Sequence, residues 1–333
     1  MAKFLIFLLT VVVTAVVTFG LLSLYVVQTV VDSTVESPLE AVVAFSFVTY
    51  PPELSATSDD LDDPYLLAWY NRPTADVPPE PRVIDVEAVP VHELQDFLAQ
   101  WPHLAVYYHN IHTGFSFAHN GERDYFAASL TKAPFAFYIY TLAEAGLTDL
   151  NSLHPFTPAY RTGGSGIIRH AHRYGDLFSQ QQLLGYNLYL SDNIATRMLR
   201  GIHGYQGLTQ FATHIGANPH NIRNITYSRT TARDAAIWML AMYDFIATGS
   251  PYGQMLLEHL LNNHFPFLAT QNPRAGKTGW FPRYGGAWHE MSIVYAPSPF
   301  VLVVLSNNYG GDDTPIMQAI SLFIEDFNQT WFE

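Results

Sequence analysis

Between Lys3 and Asp32 the chain carries no charged residue. A helix rises about 1.5 Å per residue, so Phe4–Val31 is longer than the ~30 Å hydrocarbon core of a bilayer. The run predicts a transmembrane anchor over 1–31 and removes these residues from any packed domain that follows. A cleaved signal peptide would have a shorter apolar stretch and a small-residue cleavage site; this run ends in Val-Val-Gln-Thr-Val-Val-Asp-Ser. Lys3 and the amino terminus favour a cytoplasmic N-terminus, which places the rest of the chain extracytoplasmically, on a single-pass tether in the cell membrane.

The sequence contains no cysteine. Disulfides, thiolate catalysis, Cys-ligated zinc and a lipidated cysteine anchor are thereby excluded. From 32 to 90 the chain is acidic and proline-rich, as in Ser58-Asp59-Asp60-Leu61-Asp62-Asp63-Pro64, which predicts a stalk. Residues 91–333 then read as one domain, and 49% hydrophobic content suffices for its core. A net charge of −13, with no basic stripe recognised along the chain, argues against nucleic acid as a partner.

Order begins at Val91-His92-Glu93-Leu94-Gln95-Asp96-Phe97-Leu98, where Leu94, Phe97, Leu98 and Trp101 fall at helical spacing. Two strand-like runs flank His112-Thr113-Gly114, a predicted hairpin turn. Leu130–Ala145 predicts a helix ending at Gly146. Residues from about 150 to 265 read as mostly helical. Ser292–Ala296 and 301–308 read as strands, and the chain closes on a helix beginning near Pro315. The pattern predicts an α/β (α+β) domain: an antiparallel sheet flanked by terminal helices, with an all-helical subdomain inserted.

Only three of the sixteen basic residues are lysines, and the two beyond Lys3 stand in distinctive contexts: Ser129-Leu130-Thr131-Lys132 and Lys277-Thr278-Gly279. On a helix, residues i and i+3 share a face, so Lys132 would meet the Ser129 hydroxyl. A serine is a weak nucleophile until a base takes its proton. A lysine made neutral by burial or by a second cation supplies that base, whereas arginine does not deprotonate in proteins. A Ser and a Lys three apart also occur by chance, so the pair alone decides little. It does not stand alone: Ser191-Asp192-Asn193 lies between the two lysine motifs.

The ordered set S-x-x-K, S-D-N, K-T-G resembles the signature of the class A β-lactamase and penicillin-binding protein superfamily, over about residues 90–333. The resemblance implies the following roles. Ser129 is the nucleophile, Lys132 its proton acceptor and Ser191 the relay to the leaving nitrogen. Asn193 binds the acyl side of the substrate and helps hold Lys132. Lys277 and Thr278 receive the substrate carboxylate, with Arg283 as a further candidate. Gly279 leaves the strand edge bare for the substrate backbone. The backbone N–H groups of Ser129 and Trp280 form the oxyanion hole; the Trp280 side chain is bulkier than the resemblance leads one to expect, and roofing the pocket is the reading its size suggests. The implied ligands are a β-lactam or a peptidoglycan stem peptide; no cofactor and no metal is implied. Pro134 lacks an N–H to bond Leu130, which predicts a distorted helix beside the nucleophile.

One element of the resemblance is missing. Between Asn193 and Arg233 there is no Asp or Glu, so the glutamate that activates the deacylating water in class A enzymes has no counterpart. Slow deacylation is the expectation: long-lived adducts with penicillins, and slow hydrolysis or amine transfer with D-alanyl peptides. Asp176, Asp234, His214 and His220 are the substitute bases considered. A wall-binding or β-lactam-sensing module without turnover is the non-enzymatic alternative. His170-Ala171-His172 lacks a third metal ligand at convincing spacing. Gly163-Gly164-Ser165-Gly166 does not continue as a nucleophile elbow and reads as a flexible loop near the pocket.

Overall fold

The computed structural model describes residues 89–222, 228–281, 286–308 and 311–333. The expected anchor over 1–31 and nearly all of the expected stalk over 32–90 lie outside them. No helix among the described residues is long and apolar enough to cross a membrane.

The chain enters through α1 (Val91–Leu98), with Leu94 and Leu98 buried. β1 (Leu104–Asn110) and β2 (Ser116–His119) form the predicted hairpin. Its turn is held by the Asn110 carboxamide, whose oxygen accepts from the Thr113 N–H at 2.9 Å. A two-residue strand, β3 (Tyr125–Phe126), leads into a 3₁₀ turn, Ala128–Thr131, and then α2 (Lys132–Glu144). The predicted helix over Leu130–Ala145 thus starts at Lys132. Pro134 stands in its first turn, where no backbone donor is required. The distortion expected beside Ser129 takes the form of the 3₁₀ turn that precedes the helix.

The following segment carries β4 (Leu153–Pro155), α3 (Ile168–Ala171), β5 (Leu177–Ser179), α4 (Gln180–Tyr189), α5 (Asn193–His203), α6 (Gln206–His214), β6 (Arg229–Thr230), α7 (Ala232–Ala247) and α8 (Pro251–Leu261). It is not all-helical: β4 pairs with β5, and β6 with β3. Period-two alternation is invisible in strands of two or three residues. β7 (Arg274–Phe281), β8 (Ala287–Val294), β9 (Phe300–Asn307) and α9 (Thr314–Phe332) complete the chain.

The sheet order is β2-β1-β9-β8-β7, with every pairing antiparallel. β9 and β1 are central and almost wholly buried, consistent with the unbroken apolar run from Phe300 to Leu305. On one face, Leu94 and Leu98 of α1 and Met317, Ile320 and Ile324 of α9 join Val106, Leu302 and Trp288 in one core. The inserted helices have their own aromatic centre, where Phe137 meets Phe211 (5.2 Å between ring centroids) and Phe245 (5.4 Å). β7 is an edge strand, and the 3₁₀ turn packs against it.

Side chains alternate along a strand, so register sorts β7 into two faces. Gly276, Thr278 and Trp280 oppose Ser292, Glu290 and Trp288; Lys277 and Gly279 oppose Met291 and His289. The second set faces the turn that carries Ser129. A Cβ on Gly279 would lie 2.8 Å from the Ala127 carbonyl oxygen and 3.3 Å from the Leu130 nitrogen. Glycine here permits strand and turn to touch.

Candidate active site

Three segments distant in sequence converge. The Lys132 ammonium donates to the Ser191 carbonyl, to the Ser191 hydroxyl at 3.1 Å and to the Asn193 side-chain oxygen at 2.7 Å. The Lys277 ammonium reaches the same Ser191 hydroxyl at 3.2 Å and its neighbouring Thr278 carbonyl at 3.0 Å. One hydroxyl therefore sits between two lysine nitrogens.

Both lysines are almost fully buried, at 2% and 1% exposure. Burial, reinforced by the charge of Lys277 and opposed by Asp192, holds the Lys132 pKa well below the ordinary lysine value. Burial pulls Lys277 down to about 8, against an opposing pull from Glu290. Both lysines are shifted toward the neutral form, and Lys132 carries the added push of a neighbouring cation. A neutral amine keeps two N–H donors, which match the Ser191 carbonyl and the Asn193 oxygen, both pure acceptors. Its lone pair then faces the Ser191 O–H, and Ser191 remains an acceptor for charged Lys277.

Ser129 sits half-buried on the 3₁₀ turn, with Lys132 as its C-cap three residues on. Three hydrogen bonds of the Lys132 ammonium go to Ser191 and Asn193. Ala128 (φ +49°) and Ser191 (φ +52°) adopt left-handed backbone conformations that non-glycine residues avoid. Strain is thus placed beside Ser129 and at Ser191. The Nε2–H of buried His289 donates to the Phe126 carbonyl at 2.8 Å, while its Nδ1 accepts from the Ser306 N–H at 3.2 Å. This pins the strand entering the turn.

From sequence, Asp192 has no role of its own and Gly163–Gly166 reads only as a flexible loop. Asp192 is 1% exposed. One carboxylate oxygen caps α5 through the Ile194 and Ala195 N–H groups (2.7 and 3.0 Å). The other accepts from Ile167 and Ile168 (2.7 and 2.9 Å). The loop expected to be flexible is clamped onto this motif. Ser165 donates its hydroxyl to the Ser191 carbonyl at 2.6 Å, and the Asn193 amide donates to the Gly163 carbonyl at 2.9 Å. Cβ atoms on Gly164 or Gly166 would lie 2.2 and 2.1 Å from the Asn193 and Asp192 side chains. The signal in the sequence was the three glycines, which mark close packing as readily as mobility.

Among the remaining expectations, Thr278 turns its hydroxyl toward the Asn263 side chain at 3.5 Å. The Trp280 ring shares the face of β7 opposite Lys277 and Gly279. It is 57% exposed and lies edge-on to Trp288 at 6.0 Å, so it does not roof the pocket. Arg283 lies outside the described residues, as does the side chain of His220. His214 ends α6. His170 and His172 diverge: His170 accepts from Arg169, whereas His172 pairs with Asp176 at 3.2 Å. Asp234, held by the Asn218 N–H at 2.6 Å and the Asn221 amide at 3.2 Å, reaches a small cavity behind the nucleophile turn. Leu130, Thr131, Pro134 and Trp238 also line it.

This fold and this convergence of motifs define a β-lactamase-like domain. The sequence profile of the Beta-lactamase enzyme family matches residues 90–327, and the chain belongs to that family. Among solved structures it is similar to PBP-A (TM-score 0.65, 19% identity, 76% of this chain and 99% of the other). It is also similar to a mutant PBP-A in acyl-enzyme complex with penicillin G (0.64, 18%, 76% and 100%). A β-lactamase from Sphaerobacter thermophilus aligns at TM-score 0.63 with 20% identity, over 74% of this chain and 98% of that one. Comparison with curated proteins yields no match.

Proposed function

We propose that this chain is a membrane-anchored, extracytoplasmic serine acyl-enzyme, acylated at Ser129 by β-lactams or by D-alanyl peptides of cell-wall precursors. The observation that carries this reading is the Ser191 hydroxyl held between two buried lysine nitrogens. Anchoring rests on the uncharged run Phe4–Val31.

Acylation follows from the chemistry of these groups. As the substrate carbonyl seats, the Ser129 hydroxyl comes within hydrogen-bond reach of Lys132. Its oxygen bonds the carbonyl carbon while its proton passes to Lys132. The N–H groups of Ser129 and Trp280 stabilise the oxyanion. When the C–N bond breaks, the leaving nitrogen takes the Ser191 proton, and Lys132 returns its own to Ser191. Lys277, still charged, orients Ser191 and attracts the substrate carboxylate together with Thr278 and Arg283. Deacylation lacks a carboxylate on the segment after Asn193, so the adduct is long-lived.

One observation favours a second reading, a β-lactamase with a non-standard deacylating base: the Asp234 carboxylate reaches the cavity behind the nucleophile turn, and burial raises its pKa. The deciding experiment is intact mass of the full-length chain in detergent after exposure to penicillin, followed over hours. A single adduct absent in Ser129→Ala and persisting for hours supports slow deacylation. Rapid loss of the adduct that Asp234→Asn prevents favours the second reading. No adduct at any concentration removes both in favour of a binding module. A D-alanyl-D-alanine peptide in place of penicillin tests the natural acyl donor.

A further inference from the structure

Charge is unevenly divided. Between Ser152 and Arg233 the sequence has eight arginines against two aspartates, in a chain whose net charge is −13. This basic stretch escaped the reading that no basic stripe exists, because its arginines are spaced out along the sequence and meet only in the fold. Neither aspartate neutralises them fully: Asp192 is consumed by four backbone N–H groups, and Asp176 is tied to His172 and to the Arg173 N–H. Among the described residues Arg161, Arg169, Arg197 and Arg200 form no ion pair, whereas Arg229, Arg233 and Arg274 each do.

These arginines border one loop, and their partners are neutral: Arg161 donates to the Tyr174 hydroxyl at 3.4 Å, Arg169 to His170 at 2.7 Å, and Arg200 stacks on the Tyr205 ring. Arg197 donates to the Arg161 carbonyl at 3.0 Å, and Arg200 follows one turn later on α5. Burial and the neighbouring Arg197 pull Arg200 down to about 10. An Arg169 guanidinium nitrogen would sit 3.6 Å from a Cβ at Gly163. The Gly163 carbonyl is the acceptor for Asn193, so the arginines border the loop that clamps the candidate site. Arg161 and Arg197 are exposed. With no carboxylate among their bonded partners, these guanidiniums keep N–H donors free for an anion.

We propose that Arg161, Arg169 and Arg197 form a binding surface for a short, multiply carboxylated chain: the acidic part of the acyl donor whose scissile bond reaches Ser129. The link to Ser129 rests on the acyl-enzyme reading above. Guanidinium forks match carboxylates bidentately. A short oligoanion contacts this band alone. A long nucleic acid would also meet the acidic remainder of the molecule, beyond a Debye length of about 8 Å.

The test uses the full-length chain in neutral detergent and fluorescein-labelled hexaglutamate, read by anisotropy. It needs no acylation, so its failure is separate from failure of penicillin labelling. Binding is expected at about 50 mM salt and weakens severalfold at about 300 mM, as screened charges require. Arg161→Gln/Arg197→Gln is expected to lose about tenfold in affinity, with Arg123→Gln/Arg233→Gln, which removes two charges elsewhere, changing it less than about twofold. Unlabelled hexaglutamine does not displace the probe from the wild-type chain. Equal losses in both double variants, or displacement by hexaglutamine, overturn the proposal. Displacement by hexathymidylate at lower concentration than unlabelled hexaglutamate assigns the surface to nucleic acid and overturns it as well.

Discussion

At the residue scale, the proposed acylation asks different things of the two lysines, and pH is expected to separate them. Lys132 acts as a base only when neutral, and its pKa is pushed down by burial and by Lys277. Lys277 acts only when charged, and it titrates at about 8. The second-order rate of penicillin acylation is therefore expected to rise from acid pH as Lys132 deprotonates, then to fall above pH ~8 as Lys277 loses its charge. Lys277→Arg keeps the cation at every accessible pH, so the alkaline limb should move up by more than about one unit while the acid limb persists. An alkaline limb unmoved in that variant would remove Lys277 from the scheme. Asp192 makes a sharper stability prediction. Its carboxylate serves four backbone N–H groups, and Asp192→Ala leaves them buried without an acceptor. A loss of about 2–4 kcal/mol in denaturant unfolding is expected, together with lower acylation as the loop over Ser191 loosens.

At the element scale, the site depends on β7 and the 3₁₀ turn approaching to contact distance. Gly279→Ala places a methyl group against the Ala127 carbonyl. That carbonyl is backbone and cannot rotate away, so turn and strand must separate. Because the turn carries Ser129 and the strand carries Lys277, penicillin acylation is expected to fall at least about tenfold, with far-ultraviolet circular dichroism unchanged. A variant that acylates at the wild-type rate would show that the contact is incidental. Gly164→Ala, at φ +89° and against the Asn193 amide, should give a parallel loss through the other wall of the site.

At the scale of the whole molecule, acid stability follows from buried neutral histidines. Burial lowers His109 and His289 from 6.5 to about 4. The unfolded chain takes up these protons near pH 6.5, whereas the folded chain resists until about pH 4. Stability is thus full above pH ~6.5, falls between pH 6.5 and 4, and levels off below. His289 contributes an order-of-magnitude loss of about 3 kcal/mol across that window. Its ring donates to the Phe126 carbonyl ahead of the nucleophile turn, so His289→Gln should flatten the slope and slow acylation together. Urea midpoints measured from pH 7 to 4 on both chains decide this.

What the sequence determined by itself was whatever depends on residue identity and order. The apolar run 301–305, the helical spacing of Leu94 and Leu98 and the Thr113-Gly114 turn carry local periodicity, which survives in any fold that buries them. The two lysine contexts with Ser191-Asp192-Asn193 between them named candidate residues, because only a few side chains offer a hydroxyl nucleophile, a neutralisable amine and a second hydroxyl to relay a proton. The tertiary structure alone decided what depends on distance. It put Ser129 on a 3₁₀ turn ahead of the helix, turned Trp280 to the far side of β7, clamped the Gly163–Gly166 loop with Asp192, and set Arg197 and Arg169 against the Arg161–Gly163 backbone. None of these is periodic, and each arises from contacts between segments far apart in the chain. Burial that neutralises a lysine, and crowding that admits only glycine, are properties of the packed molecule.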